Sequence, residues 1–310
     1  MRITNTMTIS TYLSNLNRRS SAMNVLQNQM SSGKKLARAS DDPIAASKSI
    51  EMRANLSKVK QYSANVEEAK ELLGQTEGSL SEINELLSRV YELTTSAASD
   101  SNGVDERAAI ADEVKQLKDQ IVSTANTNFK SNYIFGGQNI TTKPFEVRDV
   151  SGEQVMFYND ANLNVDDFSS LKTERTNYEI GFGTSMDISY NGVDLLGSGS
   201  NNIYAVLNNL EVALRNGDSS VIRDSVGLVQ NKQNDIITLL GEVGGKTNRV
   251  DRFKTQLDND LYNYTSILED TEGADAAEVS MQLQIQDTAY QAALASGSKL
   301  ISRTLADFLA

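Results

Sequence analysis

Residues 59–90 read VKQYSANVEEAKELLGQTEGSLSEINELLSRV, and within them Val59, Val66, Leu73, Leu80 and Leu87 recur every seven residues. Tyr62, Ala69, Ile83 and Val90 fill the register between them. A sustained seven-residue period makes a helix bury a narrow seam against another helix rather than cap a globular core. Two more series of this kind flank it. Ile9, Leu16, Met23 and Met30, with Tyr12 and Leu26 between, run near the N-terminus. Ile236, Val243, Val250, Leu257 and Tyr264, with Leu239, Phe253 and Ile267 between, run toward the C-terminus. Three seams in one chain predict a bundle of long helices.

The helix limits follow from local chemistry. Ser40-Asp41-Asp42-Pro43 reads as a start, with Asp42 as N-cap and Pro43 in the first turn, where a missing N–H costs nothing. From there to about Ala98 only Gly74 and Gly78 interrupt a helical composition, a rod of roughly 80 Å at about 1.5 Å per residue. A turn over Ser99–Gly103 and a helix from about Asp105 to Asn128 then predict an antiparallel hairpin.

From Tyr133 to about Leu196 the composition changes. Gly136-Gly137, Pro144, alternating apolar residues in 145–147 and 155–157, and a hairpin-turn signal at Asn191-Gly192 predict a small inserted β module. Helices resume near Asn202, with breaks at Asn216-Gly217 and Glu272-Gly273. The expected fold is mainly α with an inserted β-rich module, a long antiparallel bundle or coiled coil built from the N- and C-terminal segments. The expected domains are terminal coiled-coil segments 1–42 and 273–310, a helical rod of 43–135 and 200–272, and a β-rich outer module of 136–199.

Charge points to the same pairing of ends. Residues 1–60 carry ten bases and three acids, whereas 251–290 carry two bases and nine acids. Opposite charge on the two ends fits terminal helices held side by side, within one chain or between copies.

Composition narrows the function classes. The 310 residues carry a net charge of −12 and contain no Cys and no His. That excludes disulfides, Cys/His zinc sites, thiol nucleophiles and Ser-His-Asp triads. The acidic balance argues against nucleic-acid binding. No run of about 18 apolar residues suggests a membrane span, and no cleavable signal is visible in the first 30 residues. The expectation is a protein that is no enzyme, has no catalytic, metal or cofactor site, and inserts in no membrane.

The motifs that could carry chemistry have plainer readings. Gly241–Thr247 (GEVGGKT) resembles a phosphate-binding loop but has one residue too few between its first Gly and the Gly-Lys-Thr, and it sits inside a heptad series. Asp41-Asp42 serves as a helix start rather than a catalytic pair. Glu153, Asp160, Asp166, Asp167 and Glu174 supply acids to the β module, but no spacing among them is diagnostic of glycoside chemistry.

Several stretches resemble the flagellin family. Met1-Arg2-Ile3-Thr4-Asn5, Gln29-Met30-Ser31-Ser32-Gly33-Lys34-Lys35 and Ser40-Asp41-Asp42-Pro43-Ile44-Ala45-Ala46 look like its N-terminal segment. Tyr133-Ile134-Phe135-Gly136-Gly137, Gly241–Lys246, Tyr290-Gln291-Ala292-Ala293-Leu294 and Leu305-Ala306-Asp307-Phe308-Leu309 continue the likeness. The family's filament proteins typically have Asp-Asp-Ala-Ala-Gly where this chain has Asp41-Asp42-Pro43-Ile44-Ala45, so the resemblance is to the members that form the hook–filament junction.

The resemblance implies a structural adaptor that joins the hook and hook-associated proteins to the filament. Its implied partners are other axial proteins, namely hook-associated protein 1 type and flagellin, further copies of itself in a ring, and an export chaperone of the FlgN type on the C-terminal region. It also implies type III export without a cleaved signal to the extracellular flagellum. The expected assembly interface is Ile9, Tyr12, Leu16, Met23, Leu26, Met30, Leu283, Tyr290, Leu294, Ile301, Leu305 and Phe308. Competing readings are a flagellin-type filament subunit and a secreted adhesin or enzyme acting through the β module.

Overall fold

A computed structural model describes residues 5–99, 103–150, 152–168 and 176–309, with side chains described from residue 7 to residue 297 within those ranges. The helices are α1 (Asn5–Ser32), α2 (Pro43–Ala97), α3 (Val104–Ala125), α4 (Gly192–Leu196), α5 (Ile203–Asn216), α6 (Ser219–Glu272) and α7 (Ala276–Leu309). Between α3 and α4 lie β1 (Asn128–Phe129), β2 (Asn132–Tyr133), β3 (Phe145–Val150), β4 (Glu153–Tyr158), β5 (Ala161–Asn162), β6 (Asn177–Gly181) and β7 (Thr184–Asp187). The protein is thus mainly α with an inserted β-rich module. It divides into two compact units, Met1–Lys58 with Asn259–Ala310, and Val59–Asp258.

The second unit holds the heptad core. Val59, Val66, Leu73, Leu80 and Leu87 of α2 are at most 1% exposed. The matching series on α6 starts earlier than the sequence suggested and runs through Ile222, Val229, Ile236, Val243, Val250 and Leu257, all buried. Each fully buried aliphatic side chain of this kind contributes about 1.5–3 kcal/mol, so the two seams dominate the stability of the unit. The two helices run antiparallel, because Lys70 meets Asp251 at 2.7 Å and Glu67 meets Lys254. The expected hairpin of α2 and α3 is present: Glu82 faces Gln120 and Arg89 meets Glu113 at 2.8 Å. Helix α3 also packs closely on α5. Lys118, 1% exposed, crosses that contact to reach Asn208 and Glu211, each at 2.8 Å.

The strands form three small antiparallel sheets, β1-β2, β3-β4-β5 and β6-β7. The alternating segments 145–147 and 155–157 are strands, as expected, and the structure pairs them with each other, Phe145 opposite Tyr158 and Val147 opposite Met156. Helix α3 ends three residues short of the expected Asn128, because Asn126 turns the chain into β1 and bonds both the amide and the carbonyl of Phe145. The hairpin expected at Asn191-Gly192 is a helix start instead. The Asn191 side chain accepts from the Asp194 amide at 2.8 Å and caps α4. Gly192 is needed there because a Cβ would overlap the rings of Phe145 and Tyr158. The hairpin turn lies at Phe182-Gly183, between β6 and β7.

Chain breaks elsewhere fall where turn chemistry put them. Asp42 Oδ1 accepts from the Ile44 and Ala45 amides at 3.0 Å, capping α2. Asn202 caps α5 through the Ala205 amide at 2.8 Å, and Gly217 ends that helix in the left-handed conformation. Residues Gly241–Thr247 are helical within α6. The turn expected over 99–103 lies partly outside the described residues.

Candidate assembly interface

In the first unit α1 and α7 lie side by side. They run antiparallel: Tyr12 meets Ala293 near one end, and Gly33 meets Ala274 at the other. On α1, Ile9, Tyr12, Leu16, Met23 and Leu26 are half-buried, and Met30 is 50% exposed. On α7 the stripe turned inward is Val279, Leu283, Gln286, Tyr290, Ala293 and Gly297, spaced four and three residues apart. Leu283 and Tyr290 of the expected set therefore sit in the seam, while Leu294 is 46% exposed and lies off it. Met23, Met30 and Leu283 line one open groove between the helices. Ile301, Leu305 and Phe308 fall on α7, but their side chains lie outside the described residues.

Gln286, Ala293 and Gly297 were not legible as seam residues from hydropathy. The signal that finds them is the spacing counted from Val279. Small residues let the helices approach closely: a Cβ on Gly297 would overlap the Tyr12 ring. The Tyr12 hydroxyl donates to the Ala293 carbonyl at 2.9 Å. The contrast with α2 and α6 is one of degree. The seven-residue series Val59 to Leu87 and Ile222 to Leu257 are fully buried, with Tyr62, Leu239 and Phe253 beside them half-buried, whereas the whole α1 series is at most half-buried.

The pair is anchored where the helices break, just after α1 and just before α7. Lys35 N–H donates to the Glu272 carbonyl at 2.7 Å, and Ala274 N–H to the Gly33 carbonyl at 3.0 Å, a short antiparallel bridge. Beside it the Glu272 carboxylate, 7% exposed, accepts from Ser49 and Arg53 and pairs with Lys34 at 3.1 Å. The Arg53 hydrogen bond first, and then Lys34, outweigh partial burial and hold the Glu272 carboxyl below the usual carboxylate range. The basic N-terminal and acidic C-terminal segments thus meet at one residue.

Two of the candidate acids of the β module serve local structure: Asp160 pairs with Arg148 at 2.5 Å and Asp166 accepts from the Asn162 amide at 2.6 Å. Glu174 lies outside the described residues. Among the described residues no three acidic side chains gather as metal ligands, and no helix is long and apolar enough to cross a membrane. An arrangement of half-covered helical seams can bind other helices.

Residues 3–140 match the family of the bacterial flagellin N-terminal helical region. The flagellar hook-associated protein 3 of Escherichia coli K12 is 26% identical over 277 residues, which cover 85% of this chain and 86% of that protein. A flagellin of Clostridium tyrobutyricum is 33% identical over 129 residues, 41% of this chain and 34% of that one. Among solved structures, Bacillus cereus FlgL superposes with a TM-score of 0.56 at 26% identity, covering 71% of this chain and 99% of that chain. A flagellar hook-associated protein from Vibrio parahaemolyticus superposes with a TM-score of 0.65 at 19% identity, covering 75% and 100%.

Proposed function

We propose that this chain, a relative of flagellar hook-associated protein 3 in the flagellin family, is a structural junction protein between the flagellar hook and the filament. The observation that carries the reading is the antiparallel α1–α7 pair, whose seam is half covered in a single chain. Neighbouring subunits would complete that burial, and the area gained offsets the cost of ordering the terminal helices.

In this reading Ile9, Tyr12, Leu16, Met23, Leu26 and Met30 of α1, with Leu283, Tyr290, Leu294, Ile301, Leu305 and Phe308 of α7, form the assembly seam. The segments 1–42 and 273–310 line the inner tube, the rod of 43–135 and 200–272 forms the next shell, and 136–199 forms the outer surface. Copies associate in a ring between a hook-associated protein 1 type neighbour and flagellin. The chain leaves the cell by type III export without a cleaved signal, escorted by a FlgN-type chaperone on its C-terminal region. It performs no catalysis.

The test is deletion of the gene. Hooks that release unattached flagellin, cured by the full chain but not by one lacking residues 1–40, would support the role. Normal filaments in the deletion strain would overturn it, and long filaments grown from the purified chain would favour a flagellin-type subunit instead. Leu16→Asp with Leu283→Asp should abolish attachment while residues 59–258 stay folded.

A further inference from the structure

A ring needs two different patches on each copy, because a patch that pairs with itself closes a dimer instead. The first unit carries two exposed patches that differ in shape and in sign. One is an open cleft between the 33–42 segment and the first turns of α2, lined by Lys34, Leu36, Arg38, Ala46, Ile50 and Arg53. Its floor is the anchored Glu272 carboxylate. Ile50 remains 67% exposed at its wall. Residues 33–42 carry three bases and two acids, Asp41 and Asp42; Lys34 and Arg53 are paired with Glu272, whereas among the described residues Arg38 forms no ion pair.

The other patch is the outer face of α7. At 3.6 residues per turn, Glu278, Met281 and Ile285 share a stripe well round the helix from Val279, Leu283 and Tyr290, which face α1. Met281 is 58% and Ile285 57% exposed. Residues 275–297 carry Asp275, Glu278 and Asp287 and no base.

We infer that the basic cleft of one copy receives the Glu278–Met281–Ile285 stripe of α7 from the next copy, which makes the ring contact heterologous. Ile50 and Leu36 cover Met281 and Ile285, and Arg38 meets Glu278. The charges select this docking over the alternatives, since cleft on cleft or stripe on stripe brings like charges together. The inference rests on the junction reading above and supplies the contact by which its ring closes.

The chain has no cysteine, so paired substitutions report one contact each. In the deletion strain, Ile50→Cys with Ile285→Cys should give, on oxidation of isolated flagella, a reducible ladder at multiples of the chain mass. Either single variant should give none. Attached filaments with only a monomer band would overturn this contact and leave the junction role standing, whereas failure of the deletion phenotype itself would remove the junction role. A cross-link from either single variant to another axial protein's engineered cysteine, in place of the ladder, would also overturn the contact. If the cysteine pair impairs attachment, charge reversal decides. Arg38→Glu and Glu278→Arg should each reduce attached filaments at least threefold, and the double variant should recover them. Losses that simply add would overturn the contact.

Discussion

The Tyr12 ring fills the space that a side chain on Gly297 would need, and the Tyr12 hydroxyl donates to the Ala293 carbonyl one turn away at 2.9 Å. Aromatic ring and missing side chain fit together, so the closest approach of α1 to α7 depends on both. Gly297→Val should push the helices apart at a cost of about 1–3 kcal/mol, the usual range for overpacking. Tyr12→Phe should cost less, about 0.5–1.5 kcal/mol for one partly buried hydrogen bond. Hydrogen exchange on the full chain checks the pair: amides of α1 and α7 should lose protection in Gly297→Val, while those of 59–97 keep theirs. Equal protection in all three proteins would show that the seam does not depend on this contact.

Glu272 gathers Ser49, Arg53 and Lys34 at the point where α6 ends. Its carboxyl titrates below the ordinary range because Arg53, then Lys34, bonds the charged form. A carboxylate depressed in the folded state stabilises the fold at neutral pH. That contribution is lost as pH falls from the ordinary value near 4.3 through the lower folded value. Glu272→Gln should therefore destabilise the 1–58/259–310 unit at pH 7 by about 1–2 kcal/mol, a modest figure because both cations are about half exposed. It should also flatten the acid limb of the stability profile. An unchanged acid limb in denaturant melts between pH 5 and pH 2 would count against this anchor.

Legibility in the sequence followed the range of the forces involved. The α2 seam from Val59 to Leu87 could be read because every seventh residue is aliphatic and each is buried. The α6 seam was read only from Ile236, although Ile222 and Val229 belong to it, because Ser225 breaks the apolar register between them while remaining buried. The α7 seam was harder. Gln286, Ala293 and Gly297 are polar or small, and the conspicuous Leu294 points elsewhere. The cap at Asp42 and the helix start near Asn202 were readable because each is decided by a side chain that accepts from a backbone amide only three residues on. Asn191-Gly192 misled because its glycine answers to the rings of Phe145 and Tyr158, far away in sequence. Glu272 had no local signature at all; its partners lie some 220 residues earlier in the chain.

Lys118 tests the contact between α3 and α5. Its ammonium, 1% exposed, reaches Asn208 and Glu211 at 2.8 Å and stands 5.0 Å over the Tyr204 ring. Burial pushes the Glu211 carboxyl up, but Lys118 and Arg215 together outweigh it and hold the group below its ordinary value. Lys118→Ala should cost about 2–4 kcal/mol, since it leaves a cavity and an underpaired carboxylate. Lys118→Met, which keeps the volume, should cost less. Equal melting of the two variants would mean that packing is immaterial there. Tyr204 beside it is pushed up to about 12, by burial first and then by the charges of Asp119 and Glu211. The unfolded phenol ionises near 10, so stability should fall between about pH 10 and 12, and an ultraviolet titration of the folded chain should show this phenol ionising above the ordinary value.

Gly244 and Gly245 separate a helical reading of the GEVGGKT tract from a phosphate-binding one. A nucleotide loop needs glycine so that backbone amides can wrap phosphates, and alanine there abolishes binding. In α6 both glycines are interior helical residues, and a Cβ at either meets nothing within 4 Å. Neither has a left-handed backbone angle. Alanine then removes unfolded-chain entropy without a clash, worth about 0.5–1 kcal/mol at each position. Gly244→Ala with Gly245→Ala should raise the melting temperature of the free chain by about 2–8 °C, at roughly 2–4 °C per kcal/mol for a unit of this size. Millimolar ATP with magnesium should shift neither the parent nor the variant. A melting temperature that falls in the variant, or one that ATP raises in the parent alone, would show that these glycines are kept for a close approach or a ligand rather than tolerated.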